Sequence, residues 1–86
     1  MIKKNSIAGS LESNDILVEL FLHGSGRLIE LESPVKQQFG DEIIRVVNEV
    51  LDEEKIDDVK VVLKDKGALN YTIKARIKTA IQRGRE

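Results

Sequence analysis

The chain has 86 residues, 41% of them hydrophobic and 34% charged, and its formal net charge is −1. This length suits one modest core rather than a core plus a deep active site, so we expect a single domain over residues 1–86. The charge and the 3% aromatic content argue against a basic duplex-binding face and a base-stacking reader. The absence of cysteine and the single histidine exclude a disulfide framework, a cysteine-ligated metal and a multi-histidine site.

No apolar run approaches the ~20 residues that cross a bilayer, and no secretory signal is recognisable. We therefore expect a cytoplasmic protein that binds neither nucleic acid nor membrane.

The N-terminal part of the chain predicts β-strands. Residues 15–22 (DILVELFL) alternate between an apolar face and a mixed face. A glycine-rich turn at residues 23–26 (HGSG) follows, and residues 27–32 (RLIELE) alternate again, which predicts a β-hairpin. Residues 5–11 add a possible edge strand, which Gly9 weakens.

A helix is predicted next. Ser33 favours the cap position, and Pro34 at the first helical position loses no hydrogen bond. Apolar residues then recur at spacings of three and four as far as about Glu54. The expected buried stripe is Val35, Phe39, Ile43, Val46, Val47, Val50 and Leu51. Gly40 within this helix costs roughly 1 kcal/mol relative to alanine, and we interpret it as a close approach to the sheet or as a kink.

The C-terminal part contains one clear strand and one ambiguous segment. Residues 59–63 (VKVVL) alternate as a half-buried strand does, and residues 65–67 (DKG) predict a turn. Residues 69–81 fit both a strand and a helix. The aromatic and β-branched residues at 71–73 favour a strand from Leu69 to about Lys74, followed by a short terminal helix.

These elements define an α+β two-layer fold. We expect an antiparallel sheet built from two β-hairpins, with the possible N-terminal edge strand. A long central helix and a short C-terminal helix pack on it.

Residues able to carry out catalysis are sparse. We interpret His23 as an exposed turn residue rather than a member of a triad. Consecutive carboxylates are typical of a solvated helix end, and here they are Asp52, Glu53, Glu54, Asp57 and Asp58. The basic C-terminus is interpreted as a solvated helix face, with a surface for a phosphate-bearing or acidic partner as the alternative. Its cations are Lys74, Arg76, Lys78, Arg83 and Arg85. No nucleophile–base pair or metal set indicates a stand-alone enzyme.

One serine-containing segment resembles a known family. By composition alone, residues 8–15 (AGSLESND) form a polar turn before a strand. They resemble the AGTLES-(S/G)-D stretch of citrate lyase acyl carrier proteins. Residues 33–43 (SPVKQQFGDEI) look like the helix start of that family, and residues 65–76 (DKGALNYTIKAR) resemble its DKGAL block. Because the three blocks are colinear and spread over nearly the whole chain, the sequence is similar to the citrate lyase acyl carrier protein family (the gamma subunit).

The resemblance implies a carrier role for Ser13. In the family this serine bears a covalent 2'-(5''-phosphoribosyl)-3'-dephospho-CoA group through a phosphodiester. The implied partners are the transferase (alpha) and lyase (beta) subunits of citrate lyase and the enzyme that attaches the group. The thiol of the group is implied to carry acetyl and citryl between these subunits while citrate is cleaved to acetate and oxaloacetate. The chain would act as a tether that raises effective concentration, with no catalytic residue and no metal of its own.

Two departures from the family pattern and two alternatives accompany this interpretation. Position 10 is serine where the family has threonine, so a second hydroxyl lies three residues from Ser13, and position 14 is asparagine. Asp15 and the turn at 65–67 are candidates for docking the attaching enzyme. The first alternative is the carrier subunit of malonate decarboxylase, whose pattern around the serine is closer to Gly-Ser-Gly-Asp. The second is an unmodified adaptor or ligand-sensing α+β module.

Overall fold

The computed structural model describes the whole chain, Met1–Glu86, as four strands and two helices. In chain order they are β1 (Ser6–Gly9), β2 (Ile16–Phe21), β3 (Arg27–Glu32), α1 (Lys36–Glu53), β4 (Val59–Asp65) and α2 (Asn70–Arg85). The strands form one mixed sheet in the order β1-β2-β4-β3. The β1–β2 and β2–β4 pairs are antiparallel, and β3–β4 is parallel. The predicted α+β two-layer class is confirmed.

The hydrophobic core lies between the sheet and the two helices. It comprises 18 buried residues, and isoleucine, valine and leucine dominate it. Along β2 and β4 buried residues alternate with half-buried ones, as expected for strands with one face against a core. The helices contribute Ile43, Val46, Val47, Val50, Leu51, Ile73, Ile77, Ala80 and Ile81. Helix α2 covers β1 and β2, while α1 lies against β3 and α2.

The predicted hairpin between residues 15–22 and 27–32 is wrong in its pairing. Both strands exist, but β4 lies between them and is hydrogen-bonded to each. The turn at residues 22–26 therefore crosses two strand spacings, or about 10 Å, instead of one. Helix α1 makes this arrangement accessible, because a parallel pair such as β3–β4 requires a long crossover connection.

Residues 70–74 are helical, so the prediction of a second hairpin is also wrong. Helix α2 begins at Asn70 and buries Ile73, Ile77, Ala80 and Ile81. These side chains recur at the helical period and together cover the sheet. Tyr71, whose β-propensity favoured a strand, is an exposed residue of the first turn. Tertiary burial of one helical face thus outweighed local propensity.

The predicted helix α1 differs in its first turn. It begins at Lys36, after a turn in which the Ser33 hydroxyl accepts a hydrogen bond from the Val35 amide at 3.2 Å. Phe39 was predicted to be buried but is 56% exposed, because it lies in the first turn beyond the covered part of the helix. Gly40 is buried, and a Cβ there would lie 3.8 Å from Leu31 of β3, which favours the close-approach interpretation.

Neither helix is long and apolar enough to span a membrane.

Candidate functional site

The serine-containing segment is the loop that joins β1 to β2, and a glycine fixes where it begins. Gly9 pairs with Leu17 and has a φ of +90°. A Cβ at this position would lie 1.9 Å from the carbonyl oxygen of Ile16. Only glycine therefore permits the two strands to come this close before the chain turns outward.

Ser13 lies at the tip of a tight turn within this loop. The Asp15 amide donates to the Glu12 carbonyl at 3.1 Å, which closes a four-residue turn. Asn14 has a φ of +65°, as the third residue of a type II turn requires, and asparagine tolerates this conformation. The Ser13 side chain is exposed and takes no part in the hydrogen bonds of the loop.

Asp15 organises the base of the loop. Its carboxylate accepts hydrogen bonds from Arg76 of α2, both at 3.0 Å, from the Ser10 hydroxyl at 2.7 Å and from the Ile16 amide at 2.7 Å. The Arg76 guanidinium and the Ser10 hydroxyl, with the Ile16 amide, lower the pKa of Asp15 from 3.8 to about 2. The carboxylate is thus a charged anchor at neutral pH, and it ties the loop to a helix from the other end of the chain.

The loop after β4 holds the other side of the turn that carries Ser13. The Asn14 amide donates to the Lys66 carbonyl at 2.8 Å, and the Lys66 amide donates to the Asp15 carbonyl at 2.9 Å. Asp65 is buried and accepts from the Ser33 hydroxyl at 2.7 Å and from the amides of Gly67 and Ala68 at 3.1 and 2.9 Å. The two loops therefore form one hydrogen-bonded unit around the base of the turn.

The two serines of the segment differ in their surroundings. The Ser10 hydroxyl donates to Asp15 and accepts the Glu12 amide at 3.3 Å. It is committed to the structure of the loop, whereas the Ser13 hydroxyl is free. Of the two, Ser13 is the one at which a group can be attached without breaking a loop hydrogen bond.

The other candidate residues lie apart from this loop or are paired. His23 is exposed at the opposite end of β2, about 20 Å away along six residues of strand, and contacts Ser25 at 3.2 Å. No group of three or more acidic or histidine residues is arranged to hold a metal ion. The C-terminal cations contact acidic residues or a carbonyl, in the pairs Lys74–Glu49, Arg76–Asp15, Lys78–Glu53, Arg85–Glu54 and Arg83–Ile7. This supports their interpretation as a solvated helix face.

The sequence indicated Asp15 and residues 65–67 as candidates for docking the attaching enzyme. It did not reveal the hydrogen bonds that join them to each other and to α2. Arg76 lies 61 residues from Asp15, and the pattern of neither segment encodes that contact. Lys66 holds the loop through its backbone amide and carbonyl, and such contacts cannot be inferred from the type of side chain.

Comparisons with known proteins identify the family to which this α+β protein belongs. Residues 3–84 match the family model described as "malonate decarboxylase delta subunit (MdcD)" in a group of acyl carrier proteins. The fold resembles a chain in the crystal structure of a Pseudomonas malonate decarboxylase hetero-tetramer in complex with malonate. The TM-score is 0.80 at 17% identity, over 93% of this chain and 82% of that one. These similarities define the class as acyl carrier subunits.

Closer relatives specify the family. The citrate lyase acyl carrier protein of Treponema denticola is 44% identical over 99% of this chain and 97% of its own length. That of Lactiplantibacillus plantarum is 48% identical over 99% of this chain and 88% of its own length. The chain belongs to the citrate lyase acyl carrier protein family, and its role is that of a non-catalytic carrier.

Proposed function

We propose that the chain is the acyl carrier subunit of a citrate lyase and that Ser13 bears its prosthetic group. The group would be 2'-(5''-phosphoribosyl)-3'-dephospho-CoA, joined through a phosphodiester. The observation that carries this proposal is the free, exposed hydroxyl of Ser13 at the tip of a turn whose base is held by Asp15, Arg76 and Lys66. A hydroxyl in that position fits a phosphodiester, because attachment there displaces no hydrogen bond and buries no charge.

The residues of the chain hold and present the attachment point. Asp15 and Arg76 fix the base of the loop to α2, and the Asn14–Lys66 backbone bond fixes it to the end of β4. A rigid base limits the arc over which a tethered group moves, which raises its effective concentration at a neighbouring active site. The group itself supplies a thiol for acetyl and citryl transfer, and partner subunits supply the catalytic groups.

The proposed partners are the transferase and lyase subunits and the enzyme that attaches the group, all in the cytoplasm. The names of the relatives support the citrate lyase assignment. The structural neighbour is part of a malonate decarboxylase hetero-tetramer, which supports assembly into a multi-subunit complex.

The proposal is tested by intact mass and peptide mapping of protein made together with the enzymes that build and attach the group. We expect one mass increase equal to the group, on the peptide that contains Ser13. It should be absent from Ser13→Ala and present in Ser10→Ala. Because Ser13 is exposed and unbonded, Ser13→Ala should change the free energy of unfolding by less than ~0.5 kcal/mol. Attachment to Ser10 would preserve the carrier role but refute the site, and an unmodified chain would favour the adaptor.

A malonate decarboxylase carrier is the second candidate, and the family model and the structural neighbour favour it. The citrate lyase relatives are closer in sequence, at 44% and 48% identity against 17% for the structural neighbour. Reconstitution of the loaded chain with the catalytic subunits of each enzyme separates the two candidates. We expect the loaded chain to take part in acyl transfer when it is combined with citrate lyase subunits, and not when it is combined with malonate decarboxylase subunits.

A further inference from the structure

An apolar groove of about 580 Å³ lies between the start of α1 and the start of α2. Its hydrophobic lining is Val35, Phe39, Ile43, Ala68, Leu69 and Tyr71. The volume is within the range of roughly 300–1,000 Å³ that is typical of small-molecule sites. Phe39, Leu69 and Tyr71 are 56%, 60% and 72% exposed, so apolar surface faces water here. Such a surface on a small protein indicates a binding function.

The groove adjoins the loop of residues 10–15 between β1 and β2, which carries Ser13 and is called the attachment loop below. Gly67, one of its lining residues, would place a Cβ 3.5 Å from the Asn14 side-chain oxygen. Asn14 is the residue next to Ser13, and the Lys66 backbone joins Asn14 and Asp15 to the loop that forms the groove wall. A group attached to Ser13 therefore starts beside the mouth of the groove.

The lining suits a nucleotide. Two of the three aromatic residues of the chain, Phe39 and Tyr71, line the groove, and exposed aromatic rings stack on nucleobases. The carboxylates at its edge are already paired, Glu42 with Arg45 and Asn70, and Asp65 with Ser33. Lys66 is exposed, forms no ion pair and lines an adjoining cleft that shares Asp65 with the groove, so a cation beside the groove is available for a phosphate.

We propose that this groove is an intramolecular resting site for the adenine-nucleotide group attached at Ser13, an inference that rests on the proposed function. The base lies against Phe39 and Tyr71, and the phosphates remain at the mouth of the groove, on the side of the cleft that Lys66 lines. Because the group is tethered, weak contacts are enough to occupy the groove, and the group remains free to leave for a partner active site.

The single tyrosine provides the test. The chain has no tryptophan and Tyr71 is its one tyrosine, so intrinsic fluorescence reports on the groove alone. We expect a loss of tyrosine fluorescence in the loaded protein relative to the unloaded protein, since a base stacked on the Tyr71 ring quenches its emission. Free coenzyme A added to unloaded protein at the same concentration should have no such effect, because it lacks the tether.

Leu69→Ala and Leu22→Ala form a matched pair. Both leucines are exposed to a similar degree, 60% and 56%, but Leu22 follows the far end of β2. Leu69→Ala should restore most of the fluorescence of the loaded protein, and Leu22→Ala should not. Backbone amide shifts of residues 67–71 on loading give a second measurement of the same contact.

The outcomes separate this inference from the proposed function. A chain loaded on Ser13, with Tyr71 fluorescence and amide shifts equal to those of the unloaded chain, would overturn the resting site and leave the carrier role intact. If Leu69→Ala then also slowed acyl transfer by the partner subunits, the groove would be their docking surface. A chain that is never loaded would refute both proposals together.

Discussion

At the scale of single residues, Asp15 is the most connected side chain of the attachment loop. It is 14% exposed and accepts hydrogen bonds from a guanidinium, a hydroxyl and an amide. A carboxylate with such partners is stabilised in its charged form, which is why its pKa falls to about 2. The same contacts that shape the loop therefore link it to pH.

Asp15→Asn should destabilise the protein at neutral pH and not in acid. A pKa lowered from 3.8 to about 2 contributes stability that is complete above the unfolded value and is lost as the pH falls towards the folded value. Arg76 is 43% exposed, so solvent screens the pair and the contribution is about 1–2 kcal/mol. Urea unfolding of both proteins should show this difference near neutral pH and its disappearance near pH 2.

Asp57→Asn is the control for this experiment, because the Asp57 side chain is 98% exposed and its contact with Arg27 is 4.0 Å long. Its effect should be small at every pH. An Asp15→Asn difference that persists in acid would mean that shape, and not charge, holds the loop.

The attachment role of Ser13 stays a prediction, and it rests on the motif alone. The serine-containing block singled out Ser13, and the turn residues around it predicted an exposed loop. The reason why Ser10 differs from Ser13 is the hydrogen bond to Asp15, which depends on how the loop closes in three dimensions. Arg76 belongs to a segment predicted as strand and helix, so its partner could not be inferred.

At the scale of elements, the end of β1 at Gly9 determines where the turn that carries Ser13 leaves the sheet. Gly9 and Gly26 both have positive φ, +90° and +86°. They differ in the room available for a side chain. A Cβ at Gly9 would lie 1.9 Å from the Ile16 carbonyl oxygen, whereas a Cβ at Gly26 would have no atom within 4 Å.

Substitution of these two glycines by alanine separates conformational strain from close approach. Gly26→Ala should cost about 1 kcal/mol, the price of a positive φ alone. Gly9→Ala should cost about 3 kcal/mol or more, because the strand pair must also move apart. Chemical denaturation gives both values. Equal losses of unfolding free energy in the two variants would show that β1 and β2 can move apart at Gly9 without cost, and that this contact does not position the loop.

Element identity was predictable where two independent signals agreed. Alternation and a following turn located β4, and apolar spacing located most of α1. At residues 69–74 alternation and helical spacing coexisted, and only the burial of Ile73 and Ile77 against the sheet decides between them. Strand order is not a local property, so the insertion of β4 between β2 and β3 could not be derived from their turn.

At the scale of the whole molecule, α2 closes the core over β1 and β2. The inward residues of β2 are fully buried in its presence. This helix is also the source of Arg76, so the packing that completes the core is the packing that anchors the attachment loop.

A chain that ends at Ala68 should therefore fail to fold cooperatively. It lacks the α2 residues of the core, and apolar burial is the main favourable term for a domain of this size. Circular dichroism during urea titration should show no sigmoidal transition, whereas a chain lacking only Glu86 should unfold like the full chain. A cooperative transition of the shorter chain would show that the sheet and α1 suffice.

The hydrogen bonds between the attachment loop and the later part of the chain have a consequence for the order of events during synthesis. Ser13 is made before Lys66 and Arg76, whose hydrogen bonds give its loop its form. A nascent chain that has emerged only as far as α1 presents the serine on an unanchored segment. Under the proposed function, an attaching enzyme that recognises the folded loop would act only after α2 has been made and has packed, so modification would also report that the carrier has folded.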